Sequence, residues 1–326
     1  MKKHDISVIG SGVVGTATGK GFHKLGHNII FFDISKQRLI TLKNEGYNVA
    51  PSLKEAISRS QICFICVNTP QSINKTNSKD NDFIEADLGK HQDLSQILFV
   101  VRDIAEALNA LNDEDMISNK RLFVFRSTMV PGTMRNVVVD YLERNCNLTR
   151  GRHYDVYYNP EFVRQHSALE DFFTPDRVVI GQENSGASDL SDLYTPLTDK
   201  IILTGFEEAE MIKYASNCFL ALKISYFNEI SIICKEMGIS TDKVARAVSM
   251  DSRIGGYGTN GGLPFGGACL PKDTEAFASF AKNMNIKHDL IETAIRINMQ
   301  MDELNSQKVF VKQTHMKDRH IEESEF

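Results

Sequence analysis

Residues 5–35 read DISVIGSGVVGTATGKGFHKLGHNIIFFDIS, and this stretch decides the fold. A short apolar run, DISVI, gives way to glycines and then to a segment of helix length; a second apolar run, NIIFF, closes on Asp33. Gly10, Gly12 and Gly15 form a GxGxxG pattern. Alone that pattern is weak, because many glycine-rich turns are only turns. Here a strand precedes it, a helix follows, and an acidic residue ends the next strand, which is the context of a dinucleotide-binding turn. The first glycine permits the turn, the second lets a pyrophosphate approach the backbone, and the third lets helix and strand pack closely. Phosphates then rest on the helix N-terminus, where N–H groups point outward. Asp33 suits the adenosine ribose hydroxyls and repels a 2′-phosphate, which favours NAD over NADP; the nearby Lys36 and Arg38 temper that preference.

Working outward, the first half continues the alternation. QICFICVNTP and RLFVFRSTMVPGT are further apolar strands closing in polar or proline turns, with the helically spaced DLSQILFVVRDIAEALNAL between them. DVYYNPEF and RVVIGQ read as late strands. Short apolar runs separated by helix-length segments indicate an α/β fold, a Rossmann-like doubly wound parallel sheet covered on both faces. Cys63 and Cys66 form a CxxC, but on a strand these positions point to opposite faces, so a buried structural pair is expected rather than a redox pair.

The second half is helical. Residues 207–237, EEAEMIKYASNCFLALKISYFNEISIICKEM, contain neither glycine nor proline, and a helix of this size is roughly 45 Å long. Its middle is apolar nearly all round, through Phe219, Leu220, Leu222, Ile224, Tyr226 and Phe227. Burial on several sides is therefore expected, as for a connector around which two subunits pack. STDKVARAVSMD is helical, SRIGGYGTNGGLPFGGA irregular, and PKDTEAFASFAKNMNI helical again; a last helix is expected from about 288 to 303. The reading is a dinucleotide-binding domain at 1–203, an all-helical domain built on one long central helix at 204–303, and a charged, frayed tail at 304–326.

Length and composition set bounds. With 326 residues the chain is long enough for two cores. A net charge of −5 gives no support for a nucleic-acid or membrane-surface partner. No apolar run approaches the ~20 residues that span a bilayer. The N-terminal MKKHDISVIGSG is interrupted before a signal-peptide core develops, so a cytoplasmic location is expected. No metal-ligating pattern is read.

Among the six cysteines, Cys269 stands apart. Glycines precede it and Pro271, Lys272 and Asp273 follow. Proline favours the first position of a helix, which places Cys269 at an N-terminus whose dipole, with Lys272, lowers a thiol pKa. On this segment alone, a nucleophile and a small residue filling a gap stay equally open. A cysteine beside an NAD site suggests alcohol oxidation to an aldehyde, thiolate addition, a second oxidation to a thioester, and hydrolysis.

At this point GSGVVG, VNTP, STMVPGT, NPEFVRQHSALEDF, PDRVVIG, EMIKYASN, ALKISYFNE, DSRIG and FGGACLPKD, in this order, resemble the UDP-glucose/GDP-mannose 6-dehydrogenase family over about residues 5–300. PDRVVIG and FGGACLPKD favour the UDP-glucose branch. The resemblance implies an NAD-dependent four-electron oxidation of a nucleotide sugar, UDP-glucose to UDP-glucuronate, in a homodimer built on the long helix. By resemblance Cys269 is the nucleophile, Lys213 and Asn217 steady the oxygen charge, Thr128 and Asp273 hold a water, with Asp273 a base, and Glu161 serves thioester hydrolysis. Without the family, Lys213, Asn217, Glu161 and Thr128 would read as a helix charge, a helix amide, a loop carboxylate and a turn hydroxyl. The resemblance extends the cofactor site to Val13, Val14, Thr69, Pro70, Ser127 and Thr128. The substrate site becomes Glu161, Phe162, Val163, Arg164, Lys213, Asn217, Arg253, Phe265, Gly266 and Gly267, with Arg253 reaching a diphosphate within its own subunit or across a dimer interface.

Three departures are visible. Gln165 and His166 stand where the family has glutamate and glycine, so Glu161 acts without a second carboxylate. Pro264 replaces the first glycine of GFGG. The chain also stops where the family's third domain is expected. A catalytically impaired NAD- or UDP-sugar-binding remnant, or one part of a split enzyme completed by a separate C-terminal domain, is therefore the competing reading. A one-step hydroxyacid dehydrogenase ranks last, because it has no use for Cys269.

Overall fold

The structure, a computed structural model, describes residues 2–70, 92–111, 120–183 and 190–322, with side chains through 306. The polar stretch QSINKTNSKDNDFIEADLGKHQ, residues 71–92, reads in sequence as a long surface loop rather than a lid, and it lies outside the described residues except for Gln92. Contacts divide the chain into two compact units, Met1–Lys213 and Tyr214–Phe326.

The first unit is built on eight strands: β1 (Asp5–Ile9), β2 (Asn28–Phe32), β3 (Asn48–Val49), β4 (Ile62–Ile65), β5 (Arg121–Phe125), β6 (Tyr154–Tyr158), β7 (Val178–Gly181) and β8 (Ile201–Thr204). They lie in the order β3-β2-β1-β4-β5-β6-β7-β8. Ile6 of β1 is level with Ile29 of β2 on one side and Ile62 of β4 on the other, and Cys63 is level with Phe123 of β5. The interior strands are apolar on both faces because both faces are covered. Ile6, Val8, Phe31, Phe64 and Val124 belong to one core, whereas Ile9, Ile30, Ile65, Phe123 and Phe125 belong to the other. Alternation along each strand makes that division. Helix α1 (Val13–Lys24) delivers Phe22 to the first core. Helix α4 (Ser95–Asn109) delivers Ile97, Val100, Val101 and Ile104 to the second. Between them in sequence lie α2 (Lys36–Asn44) and α3 (Leu53–Ser58), each opened by a serine that accepts a backbone N–H. Cys63 and Cys66 are buried in opposite cores, as strand alternation requires, and neither is in a disulfide.

Two corrections apply to the sheet. The pairing of β6 with β7 is antiparallel, so the sheet is mostly rather than wholly parallel. The chain turns back after the NPEF segment through only the short α6 (Ala168–Phe173), without a full crossover helix. Strands β3 and β8 carry no strong sequence signal: β3 is two residues long, and IILT of β8 is partly exposed and runs almost at once into a helix. After β5, a π-helical segment Met134–Val139 leads into α5 (Asp140–Asn145), and α7 (Ser191–Tyr194) precedes β8.

Helix α8 (Phe206–Glu236) is the long helix. Its first turns belong to the sheet unit, where Phe206 and Ala209 are fully buried. The second unit contains the rest, with α9 (Thr241–Ser249), α10 (Leu270–Asn283) and α11 (Asp289–Glu322). Within the single chain the middle of α8, expected to be buried on several sides, is only partly covered. Phe219 is 63% exposed, Tyr226 55% and Ile233 52%, whereas Ala221, Ser225, Phe227 and Asn228 are buried. The final helix also continues to Glu322 instead of fraying after 303. No glycine or proline interrupts it, and isolated charges do not stop a helix.

Candidate active site

The glycine turn fits a dinucleotide. Gly10 has φ of 91°, which only glycine adopts easily, and a Cβ there would lie 2.7 Å from the Cys66 carbonyl oxygen. A Cβ on Gly15 would lie 1.9 Å from the Gly10 carbonyl oxygen, so this glycine lets α1 sit against the turn. Gly12, the N-cap of α1, has no side-chain cap and faces open space. Ser11 Oγ is buried with no partner. An uncapped helix N-terminus beside open space and an unmatched hydroxyl fit a phosphate group. Asp33 lies in the same place: it accepts from Ser11 N at 2.6 Å, Ser35 N at 2.7 Å and Arg38 at 3.4 Å. Oδ1, which accepts only from Ser35 N, retains capacity for a ribose hydroxyl. Val13 is exposed at the start of α1, Val14 packs on the core, and Lys36 is exposed at the start of α2.

The other expected cofactor residues follow β4 and β5. Thr69 Oγ1 donates to the Thr128 carbonyl at 2.7 Å, and Ser127 Oγ donates to the Val67 carbonyl at 2.6 Å. Pro70 is exposed. Sequence reasoning missed Gln92, which donates to the Thr128 carbonyl at 2.8 Å and ties the two loops together. It also missed Glu210, fully buried on α8, whose two oxygens accept from Gly132 N and Met134 N at 2.7 Å each. Burial pushes the Glu210 carboxyl up to about 8, against the lowering effect of the two N–H groups.

In the same unit, Glu161 and Lys213 form a buried pair. Lys213 Nζ donates to Glu161 Oε1 at 2.9 Å and to the Glu161 carbonyl at 2.6 Å, with the residues 2% and 5% exposed. Val163 N donates to the other carboxylate oxygen at 2.8 Å. Burial alone would raise the Glu161 pKa; the Lys213 charge and hydrogen bond, the Val163 N–H and the Arg126 charge outweigh it and hold it below the ordinary value. The strand end before Glu161 is fixed by an unforeseen network. Buried Arg126 donates to Asn159 Oδ1 and, at 2.7 Å, to the Tyr194 hydroxyl; Tyr194 in turn donates to Asn159, whose amide donates to the Val179 carbonyl at 2.7 Å. Phe162 lies beneath both Lys213 and the Arg177 guanidinium, the latter 4.0 Å from its ring centre. Arg164 is exposed and paired with Asp171 at 2.5 Å. Gln165 and His166 are exposed.

The second unit holds the remaining candidates. Cys269 is exposed and is the N-cap of α10, whose first residue is Leu270 rather than Pro271. Asp273 N donates to the Cys269 carbonyl at 2.9 Å, closing the first helical turn. The Asp273 side chain is fully buried, and Asn217 Nδ2 donates to its Oδ2 at 2.6 Å while Lys272 pairs with its Oδ1. A buried carboxylate is thus matched by a cation and an amide, as burial demands. Cys218, next to Asn217, is the opposite of a reactive thiol: burial, then the Asp273 charge, pushes it up to about 12. Phe265 is buried, Gly266 and Gly267 are exposed, and Gly267 has φ of 78°. Arg253 is exposed and paired with Asp251 at 2.7 Å.

Comparison with known proteins bears on the family of the chain. Residues 40–198 match the NAD binding domain of the UDP-glucose/GDP-mannose dehydrogenase family, and residues 207–300 match the central domain of the same family. The chain is 33% identical over 319 residues to the UDP-glucose 6-dehydrogenase AglM of Haloferax volcanii, covering 90% of this chain and 69% of that protein. The chain belongs to the UDP-glucose/GDP-mannose dehydrogenase family. It is also 34% identical over 320 residues to UDP-glucose 6-dehydrogenase TuaD of Bacillus subtilis, covering 91% of this chain and 63% of the relative. A UDP-glucose dehydrogenase from Pyrobaculum islandicum superposes with a TM-score of 0.80 at 31% identity, covering 96% of this chain and 72% of the other. The chain therefore spans about two thirds of the length of the curated relatives it matches. The family assignment makes NAD the cofactor that the glycine turn and Asp33 fit. No described helix is long and apolar enough to cross a membrane.

Proposed function

We propose that the protein oxidises UDP-glucose to UDP-glucuronate in two successive oxidations, with Cys269 as the covalent nucleophile. The observation that carries this reading is the N-terminus of α10. An exposed cysteine caps it, and one turn on, a buried aspartate is held by an amide and an ammonium. A gap-filling cysteine would not need exposure, and a structural aspartate would more often lie at the surface.

Gly10–Gly15 and Asp33 would hold NAD, which when bound would supply the hydride acceptor for each oxidation at the sugar C6 carbon. In the first, Asp273 takes the proton from the C6 hydroxyl, directly or through a water held with Thr128. The Cys269 thiolate then adds to the aldehyde carbon to give a thiohemiacetal. Lys213 and Asn217, four residues apart on α8, supply an ammonium and an amide donor to the C6 oxygen, the pair of groups an oxyanion requires. The second oxidation leaves a thioester on Cys269. Glu161, ionised at neutral pH beside Lys213, accepts a proton from the attacking water, and Cys269 departs as thiolate. Phe162, Val163, Arg164, Phe265, Gly266 and Gly267 line the sugar nucleotide, and Arg253 pairs with its diphosphate. We also assign Phe219, Tyr226 and Ile233, exposed at heptad spacing on α8, to a homodimer interface; three large apolar residues on one stripe are unusual on a free helix face.

Purified protein supplied with NAD and UDP-glucose should produce UDP-glucuronate, and Cys269→Ala should produce none. Acid formation that survives this substitution overturns the assignment.

A further inference from the structure

Between α9 and α10 the chain runs for residues 250–269 without regular structure, and five of its glycines, at 255, 258, 261, 262 and 267, have positive φ. Such a segment has much entropy to lose on ordering. Nevertheless Thr259 and Phe265 are buried within it, and a Cβ on Gly261 would lie 2.4 Å from the Phe227 carbonyl oxygen of α8. The loop lies directly on the helix, so its backbone polar groups need partners there.

Three asparagines supply them. Asn228 of α8, itself fully buried, accepts from Gly262 N at 2.7 Å and donates to the Leu263 carbonyl at 2.9 Å. Asn298 of α11 accepts from Phe265 N at 2.6 Å and donates to the Phe265 carbonyl at 3.0 Å. Asn305 donates to the Gly262 carbonyl at 3.2 Å. Upstream, Lys223 donates to the carbonyls of Ile254 and Gly255 at 2.6 and 3.1 Å. Pro264, the residue that replaces a family glycine, has no N–H to satisfy. A carboxamide presents one acceptor and two donors, so Asn228 and Asn298 each engage the loop as a strand neighbour would. Aspartate cannot, because it has nothing to donate.

We propose that Asn228 and Asn298 are positioning residues: their carboxamides replace the missing strand and fix the backbone leading to Cys269 before any substrate binds. This rests on the role given above to Cys269 and to the loop residues 265–267. It predicts a preformed approach to the nucleophile, not a lid that orders on binding.

The test uses full-length protein without ligand first. Hydrogen exchange resolved at single amides should show Gly262 and Phe265 protected in the wild type, and Phe265 unprotected in Asn298→Ala while the amides of α8 and α10 stay protected. Alkylation by iodoacetamide, located by peptide mass, should change at Cys269 at least threefold in the same variant. Kinetics then separate the roles. Two lost hydrogen bonds should raise KM for UDP-glucose about tenfold to a hundredfold with kcat changed much less, and Asn298→Asp should be worse than Asn298→Ala. Free exchange of Phe265 in the wild type overturns the proposal, even if Asn298→Ala fails to fold. Lost protection with unaltered Cys269 alkylation overturns it as well. Absence of turnover in the wild type counts against the proposed function alone, since exchange and alkylation need no substrate.

Discussion

Replacing Lys213 with methionine tests the buried pair that supports Glu161. Lys213 and Glu161 are 2% and 5% exposed and 2.9 Å apart, so the substitution keeps the volume and strands a carboxylate away from water. Removing one partner of a buried pair costs about 3–5 kcal/mol, mostly through the charge left behind. In a unit of this size each kcal/mol lowers Tm by roughly 2–4 °C, so a fall of about 6–20 °C is expected. The loss should depend on pH with a definite sign. The folded wild type holds the Glu161 pKa below its ordinary value, so the pair's contribution is complete above the unfolded pKa and disappears as pH falls through the folded one. In Lys213→Met the Val163 N–H and the Arg126 charge remain, but the two largest opposing influences, the Lys213 charge and hydrogen bond, are gone, so burial favours uptake of a proton by the carboxyl. The cost of the substitution should therefore be large at pH 8 and small near pH 4, and adding Glu161→Gln should recover most of it. The assay is urea denaturation of wild type, both single variants and the double variant at several pH values. A cost below about 1 kcal/mol at pH 8, or one independent of pH, would refute the reasoning.

Other outcomes follow from the same structure. Because burial raises the Glu210 pKa to about 8, the folded protein keeps a proton there that the unfolded chain has released above its ordinary value of 4.5. Stability should then fall by up to about 1.4 kcal/mol per pH unit between those two values, and Glu210→Gln should flatten the slope in a thermal-denaturation series. Gly15→Ala puts a methyl group 1.9 Å from a backbone oxygen, so it should cost about 1–3 kcal/mol or more and weaken NAD binding by calorimetry. Tyr226→Glu, in the exposed stripe of α8, should shift sedimentation from dimer toward monomer while near-ultraviolet dichroism is unchanged.

The sequence showed the parts of the molecule that are periodic or locally marked. The strands around the glycine turn, the uninterrupted α8 and the cysteine at a helix start are each legible because their cause lies within a few residues. The asparagines were not legible, since Asn228 and Asn298 are far apart in the chain and an asparagine within a helix reads as a surface amide. Arg126, Asn159 and Tyr194 were missed for the same reason: three polar residues on separate elements become one network only when the sheet brings them together. Glu210 looked like one more charge in the acidic start of α8, and only its two backbone N–H partners set it apart from Glu207 and Glu208. The β6–β7 reversal depended on how the chain returns after a six-residue helix, which residue spacing does not encode.

The most direct test of the account is the ratio of NADH formed to UDP-glucose consumed when the sugar is limiting. Oxidation through a thioester on Cys269 predicts two NADH for each sugar, with the acid as product; one NADH, with an aldehyde released, would contradict it.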